Sequence, residues 1–408
     1  MSEKIGKGGF TRREFLIGMG TAAAVPYVGT HKDALNKKSD KIIRMGIVGG
    51  RFGASFQWHE HPNCTVNAVC DIRDDRRKRL MQVYGCSTAY RNFKDIINDK
   101  NIDAVGVFTP APLHVYMSVE AMKAGKHVIS AVPAGINEEE CAELLETVKK
   151  TGMIYMMAET SYYRREIISC RKWAQEKKFG EIIYSESEYH HDGLTSLWFD
   201  EIGRPTWRYG YPPMLYPTHC TGMIVPVTGE RLITVTSTGW GDDYIGLRTN
   251  LYRNPFWSQS AMFKTSKGRQ ARVAIFWNVA SGGTERGQFY GTEMSYYMPR
   301  PDGTPGITAV REKETAVKNQ YEEGKIRMEP YEQPNHYELL PKPLRHNSGH
   351  GGSHTFLTHE FVSAVQEKRR PEIDVYEALA YTVPGFYAHK SALEEGKLYK
   401  IPDYGKAD

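Results

Sequence analysis

The stretch that most constrains this chain runs from Lys41 to Ser130, where short β-prone runs alternate with helix-prone ones. Residues 41–49, KIIRMGIVG, form a buried-strand pattern that ends in glycine. Gly49-Gly50-Arg51-Phe52-Gly53 follows, then a stretch able to form a helix, then a second strand over 65–70 with Asp71 at its end. Residues 103–109 read as a third strand, followed by Pro110 and His114. A helix over 115–124, stopped by Gly125, leads to a fourth strand over 127–130. Strands and helices in alternation imply a parallel sheet, whose ligands bind at the carboxyl ends of the strands. Gly49, Asp71, Thr109 and Ser130 all fall there.

Glycines in such a turn let backbone N–H groups approach a pyrophosphate at a helix N-terminus. Asp71 follows Gly49 by 22 residues, close to the spacing of about 20 at which an acid bonds ribose hydroxyls. A carboxylate there repels a 2′-phosphate, so the reading is NAD rather than NADP. The turn is one residue short of G-x-G-x-x-G between Gly49 and Gly50, and the surrounding strand order strengthens it.

The net charge of +5 is 53 Lys and Arg less 48 Asp and Glu. Residues 1–44 hold nine basic and four acidic side chains, and residues 45–408 hold 44 of each. A nucleic-acid binder shows its basic excess in the folded part, so that partner is not expected. Cys64, Cys70, Cys86, Cys141, Cys170 and Cys220 include no CxxC pair, so neither a redox pair nor a metal is expected. No apolar run reaches the ~20 residues of a membrane span.

Residues 11–17, Thr-Arg-Arg-Glu-Phe-Leu-Ile, precede a Gly/Ala-rich stretch over 18–28. The pattern resembles a twin-arginine export signal, which makes 1–40 a signal and linker and the protein periplasmic or otherwise exported.

FTPAPLHVYMSVEAMKAGKHVISAVP, from Phe108 to Pro133, resembles the Gfo/Idh/MocA oxidoreductases, as do the C-terminal runs EFVSAVQEKRRPEID and SALEEGKLYKIP. The resemblance implies an α/β protein. An N-terminal Rossmann domain with a parallel sheet (41–165) precedes a substrate-binding α/β domain (166–408), which includes the C-terminal helices. The second domain holds a large, mostly antiparallel open sheet, and β-prone runs at EIIYSESEYH, RLITVTSTGW, SAMFKTS and RQARVAIFWNVA agree. It also implies a homo-oligomer, since the open sheet face often pairs in this superfamily. Glu159 and Thr160 lie where the family contacts the nicotinamide end.

The family's dehydrogenases use a lysine in a Glu-Lys-Pro motif, paired with an Asp and a His four residues apart. Here Ser130-Ala131-Val132-Pro133 fills the first motif and Leu215 stands at the Asp position, so only His219 remains. A valine cannot take a hydroxyl proton. Tyr189-His190-His191, Trp207-Arg208 and Tyr216-Pro217-Thr218-His219 resemble glycoside hydrolase family 109, an NAD-dependent branch. SGHGGSHTF over 348–356 resembles it too, with His354 where an acid is usual.

The branch implies an NAD-dependent glycosidase acting by transient C3 oxidation, elimination of the aglycone, water addition and re-reduction. His191, His219 and Tyr189 are then the catalytic residues. Tyr189, Arg208, Tyr216, His219 and Tyr297 are the expected contacts to a small-molecule sugar or glycoside. Gly49, Gly50, Phe52, Gly53, Asp71, Thr109, Pro110, His114, Ala131, Val132, Glu159 and Thr160 are the expected contacts to NAD. His190 points to the opposite face of its strand. His346, His350 and His354 lack a neighbouring acid, so they read as pocket lining rather than metal ligands. A net sugar or cyclitol dehydrogenase using His219 as base, and a catalytically silent NAD-containing binding protein, are the alternatives.

Overall fold

The structure is a computed structural model, and it describes residues 41–406 apart from 193, 282–283 and 313–324. The expected signal and linker therefore lie outside the described residues.

Six parallel strands build the first sheet: β1 (Ile43–Val48), β2 (Cys64–Cys70), β3 (Ala89–Tyr90), β4 (Ala104–Val107), β5 (His127–Ser130) and β6 (Tyr155–Met157), in the order β3-β2-β1-β4-β5-β6. Helices α1 (Asp74–Tyr84), α2 (Phe93–Asn98), α3 (His114–Lys123) and α4 (Glu138–Thr151) connect them. β1, β4, β5 and β6 are buried apart from the half-buried Arg44 and His127, which fits the apolar runs of a sheet covered on both faces. The helix stops are local. Gly85 and Gly152 close α1 and α4 in the left-handed region, and the Asn137 side chain caps α4 by accepting from the Glu140 N–H at 2.8 Å.

One expected element is absent. Between β1 and β2 there is no α-helix, only two short 3₁₀ turns, Phe52–Ser55 and Trp58–Glu60. Phe56 and Trp58 are buried, Phe56 stacked on Phe108 at 4.5 Å and Trp58 edge-on to Phe361 at 6.1 Å. Burying two aromatics at i and i+2, followed by Pro62, outweighs local helix preference. The glycine turn therefore offers backbone N–H groups without the helix dipole that the sequence implied.

α5 (Arg165–Gln175) leads into the second sheet, which has nine strands among the described residues: β7 (Ile182–His190), β8 (Leu232–Trp240), β9 (Ser258–Thr265), β10 (Gln270–Phe276), β11 (Thr284–Gly291), β12 (Met294–Tyr297), β13 (Ile307–Arg311), β14 (Ile326–Pro330) and β15 (Tyr399–Lys400). Their order is β14-β13-β12-β11-β7-β10-β9-β8-β15, antiparallel except for β7 beside β10. α6 (Thr218–Thr228) follows β7, and α7 (Ile245–Arg248) is a single turn. α8 (Gly349–Glu367) and α9 (Val375–Leu393) close the chain.

α6 lies on one face of this sheet, where Met223 meets Ser187 of β7 at 3.5 Å. α9 ties the two halves together. Thr382 Oγ1 accepts from Ala134 N at 3.2 Å, and Ser391 Oγ accepts from Ser237 N at 2.8 Å. Among the described residues, no helix is long and apolar enough to cross a membrane.

Candidate functional site

The parallel strands end level with one another, because Val48 is in register with Cys70 and Val107, Val107 with Ser130, and Ser130 with Met157. Residues just past those ends form one edge: Gly49, Gly50, Asp71, Thr109, Pro110, Ala131, Val132, Glu159 and Thr160. Gly49 has φ +100°, and a Cβ on it would collide with the Phe108 carbonyl. A Cβ on Gly50 would lie 2.6 Å from the Arg76 carbonyl oxygen. Asp71 accepts the Gly50 N–H on Oδ2 at 2.8 Å and the Arg73 N–H on Oδ1 at 2.9 Å, which fixes its carboxylate beside the turn. Each oxygen keeps a further lone pair for ribose hydroxyls. The buried hydroxyls of Thr109 and Thr160 have no partner among the described residues, and unmatched buried polar atoms mark where a polar ligand belongs. This edge fits a dinucleotide.

His114, expected at the cofactor, is placed otherwise. It is buried, with Nδ1 2.8 Å from the Pro133 carbonyl and Nε2 2.8 Å from the Thr109 carbonyl. Both ring nitrogens face the backbone, so His114 ties the end of β4 to the loop after β5 and has no nitrogen left for a ligand.

Beside Glu159 the second domain brings a group of charged and aromatic side chains. Pro217 stands at the start of α6, and this places Tyr216 and His219 on one face with their rings 5.2 Å apart. His219 Nδ1 is 2.8 Å from Glu159 Oε1 and 3.4 Å from Glu285 Oε1, all three side chains being buried. Arg164 pairs with the other oxygen of Glu285. Burial opposes a charge on His219, but Glu159 and then Glu285 outweigh it, so its pKa lies above the ordinary histidine value. Burial likewise opposes the charge on Glu159, and His219 reverses the balance to hold that carboxyl below its usual range.

Tyr189, at the end of β7, packs 4.7 Å from the His219 ring, 6.1 Å from Tyr216 and 5.7 Å from His191. His191 Nδ1 faces the Asp192 carbonyl at 3.1 Å, which leaves Nε2 open. The Arg208 guanidinium stacks 4.3 Å over Trp207 and 5.6 Å from the centre of the Tyr216 ring. The structure thus gathers Tyr189, His191, Arg208, Tyr216 and His219. His190 takes the other face, stacked on Phe276 at 4.6 Å.

Tyr297 does not join them. It pairs with Gln288, which donates to Glu186 at 2.7 Å on the opposite face of the sheet, whereas Glu285 pairs with Tyr189 on the face beneath α6. Three positions along β11 reverse the side, so a tyrosine opposite Gln288 cannot reach His219.

Two members of the cluster lie outside the sequence expectation. Glu285 could have been found by alternation, since β11 otherwise presents Gly287 and the buried Phe289 on that face. A carboxylate on an apolar face is anomalous. Arg164 carries no comparable signal, its partner being 121 residues away.

The kinked, non-helical first turn of α8 brings a third histidine. His350, Gly351 and Gly352 have φ of 50°, 68° and 94°. A Cβ on Gly351 would lie 3.3 Å from Arg164 Nη1, so this turn borders the cluster. Phe52 of the glycine turn is edge-on to both His350 and His354 at 5.6 Å. His346 bonds Glu60 at 2.5 Å. Among the described residues no group of His, Cys, Asp and Glu is arranged to hold a metal.

Comparison with known proteins adds two family matches. Residues 43–159 match the oxidoreductase family, NAD-binding Rossmann fold, and residues 297–408 match the glycosyl hydrolase 109 C-terminal domain. A glycosyl hydrolase family 109 protein of Solibacter usitatus is 25% identical over 410 residues, covering 90% of this chain and 89% of its own. A family 109 protein of a Shewanella species is 25% identical over 430 residues, covering 94% and 90%. Among solved structures, levoglucosan dehydrogenase in complex with NADH and levoglucosan superposes with a TM-score of 0.71 at 19% identity, covering 89% of this chain and all of that one. The scyllo-inositol dehydrogenase of Lactobacillus casei gives 0.66 at 18%, covering 88% and 98%. With a match to an oxidoreductase NAD-binding Rossmann fold at one end and to a glycosyl hydrolase 109 C-terminal domain at the other, this chain is an NAD-dependent enzyme similar to the Gfo/Idh/MocA oxidoreductases and their family 109 branch.

Proposed function

We propose that the protein is a glycosidase that works by transient oxidation of its sugar, with NAD retained and no net redox change. The observation that carries this reading is the Glu159–His219–Glu285 cluster, set where Val132 and Leu215 replace the dehydrogenase lysine and aspartate. Bound NAD supplies reversible oxidation at C3 of the sugar. With Nδ1–H donated to Glu159, His219 keeps Nε2 as the atom that takes and returns a proton. The two carboxylates stabilise the imidazolium formed when it does so. Beside Glu159 at the cofactor edge, His219 serves the C3 hydroxyl and, once C3 is a ketone, the acidified hydrogen on C2. Removing that hydrogen expels the C1 substituent, and water then adds back. His191, with Nε2 open, gives the departing oxygen its proton, and His350, across from His219, takes a proton from the incoming water. Tyr189, Arg208 and Tyr216 hold sugar hydroxyls, with the Tyr216 ring, backed edge-on by the buried Trp277 at 6.1 Å between ring centres, as the apolar wall.

Purified protein should hydrolyse aryl glycosides with no added NAD and release free sugar without accumulating NADH. Stoichiometric NADH and a keto-sugar would establish a dehydrogenase instead, and no turnover of any glycoside would favour a silent binding protein.

The same reading includes export of the folded, NAD-loaded protein through Arg12 and Arg13, since a cytoplasmic cofactor must be acquired first. Replacing both with Lys should retain the protein in the cytoplasm on fractionation. Unchanged periplasmic recovery would refute the export reading.

A further inference from the structure

His354 touches no reacting group in this reading, yet its two ring nitrogens define a chain of protons. Nδ1 lies 2.9 Å from the Ser55 carbonyl oxygen and Nε2 lies 2.8 Å from His350 Nδ1. A carbonyl oxygen only accepts, so His354 carries its proton on Nδ1. Its Nε2 then accepts, and His350 must donate from Nδ1. What remains on His350 is the Nε2 lone pair.

The surroundings enforce this order. The His354 ring is stacked on Phe56 at 4.5 Å and 14° and meets Phe52 edge-on. The absence of a Cβ on Gly349 leaves room for that ring. Ser55, the outer acceptor, closes the 3₁₀ turn that follows the glycines of the dinucleotide edge. His350 itself holds a left-handed backbone, a conformation that is strained for a non-glycine residue and gathers at functional sites.

We propose, building on the reading of His350 as a proton carrier, that His354 is a positioning residue: it pins the His350 proton to Nδ1 and presents Nε2 to the substrate, using a neutral imidazole as the acceptor. The groups facing His350 are His354 on its own helix, Phe52 on the glycine turn, and Arg164, Glu285, Glu159 and His219 across the site. Burial holds His354 down to about 4, so it stays uncharged at neutral pH. The His350 residue is exposed at the loop surface, but its ring is shielded by Phe52 and His354. That desolvation, followed by His219 when it carries a proton, lowers its pKa. A carboxylate at position 354 would oppose both effects.

The test is ¹⁵N NMR of the histidine-labelled holoprotein, with the His350 signals assigned by their loss in His350→Gln, together with pH–rate profiles. In the wild type at neutral pH, His350 should show a protonated Nδ1 and an unprotonated Nε2. His354→Gln, which keeps a neutral acceptor, should preserve that tautomer and its titration midpoint. His354→Asp should raise the midpoint by about one unit or more, the size expected when a carboxylate faces an imidazolium. The acidic limb of glycoside turnover should move with it. A wild-type His350 protonated on Nε2, or a midpoint unmoved in His354→Asp, would overturn the proposal. A moved midpoint with an unmoved rate limb would also overturn it, by separating His350 from the chemistry. Failure of the wild type to turn over any glycoside would instead strike the functional reading, and the NMR result would still decide whether His354 sets the tautomer.

Discussion

His219→Ala lowers the rate of hydrogen exchange at C2 of the sugar by at least ~100-fold, the low end for removing a general acid or base. The expectation follows from the isolation of Nε2. Nδ1 is committed to Glu159 at 2.8 Å, and Glu285 at 3.4 Å adds a second stabilising charge. The substitution also leaves the buried Glu159 carboxylate without its cation, while Glu285 keeps Arg164, at a cost of about 3–5 kcal/mol. His219→Gln separates the two effects, because its amide still donates to Glu159 and preserves the fold. It should lose exchange to the same extent while still holding NAD, which denaturation then releases. Tyr189→Phe should do less, since it removes one hydroxyl and leaves the ring packed against His219 at 4.7 Å. Full exchange in a folded, NAD-loaded His219→Gln protein would remove His219 from the mechanism.

Where the fold was legible in the sequence, the reason is local. The strand at 127–130 and the left-handed stop at Gly125 were readable because apolar runs and glycines act over a few residues. The first crossover was not, since Phe56 and Trp58 are drawn into contacts with Phe108 and Phe361, far along the chain. The site divides in the same way. Tyr216 and His219 follow from a helix started at Pro217, whereas Tyr297 was misplaced because the side a strand residue takes depends on pairing register. Glu285 was detectable as a carboxylate on an apolar face, but its partnership with Arg164 and His219 is tertiary. The histidines at 350 and 354 were read as pocket lining. Their order as donor and acceptor depends on the Ser55 carbonyl, which no spacing reveals.

Turnover in heavy water tests the central claim most directly. Elimination through a C3 ketone must break the C2–H bond, and the proton taken by His219 exchanges with solvent before water adds back. Direct displacement at C1 by a pair of carboxylates leaves C2–H intact, and net dehydrogenation ends in a keto-sugar. The account predicts that the released sugar carries deuterium at C2, with no accumulation of NADH. Released sugar with hydrogen still at C2 would contradict it.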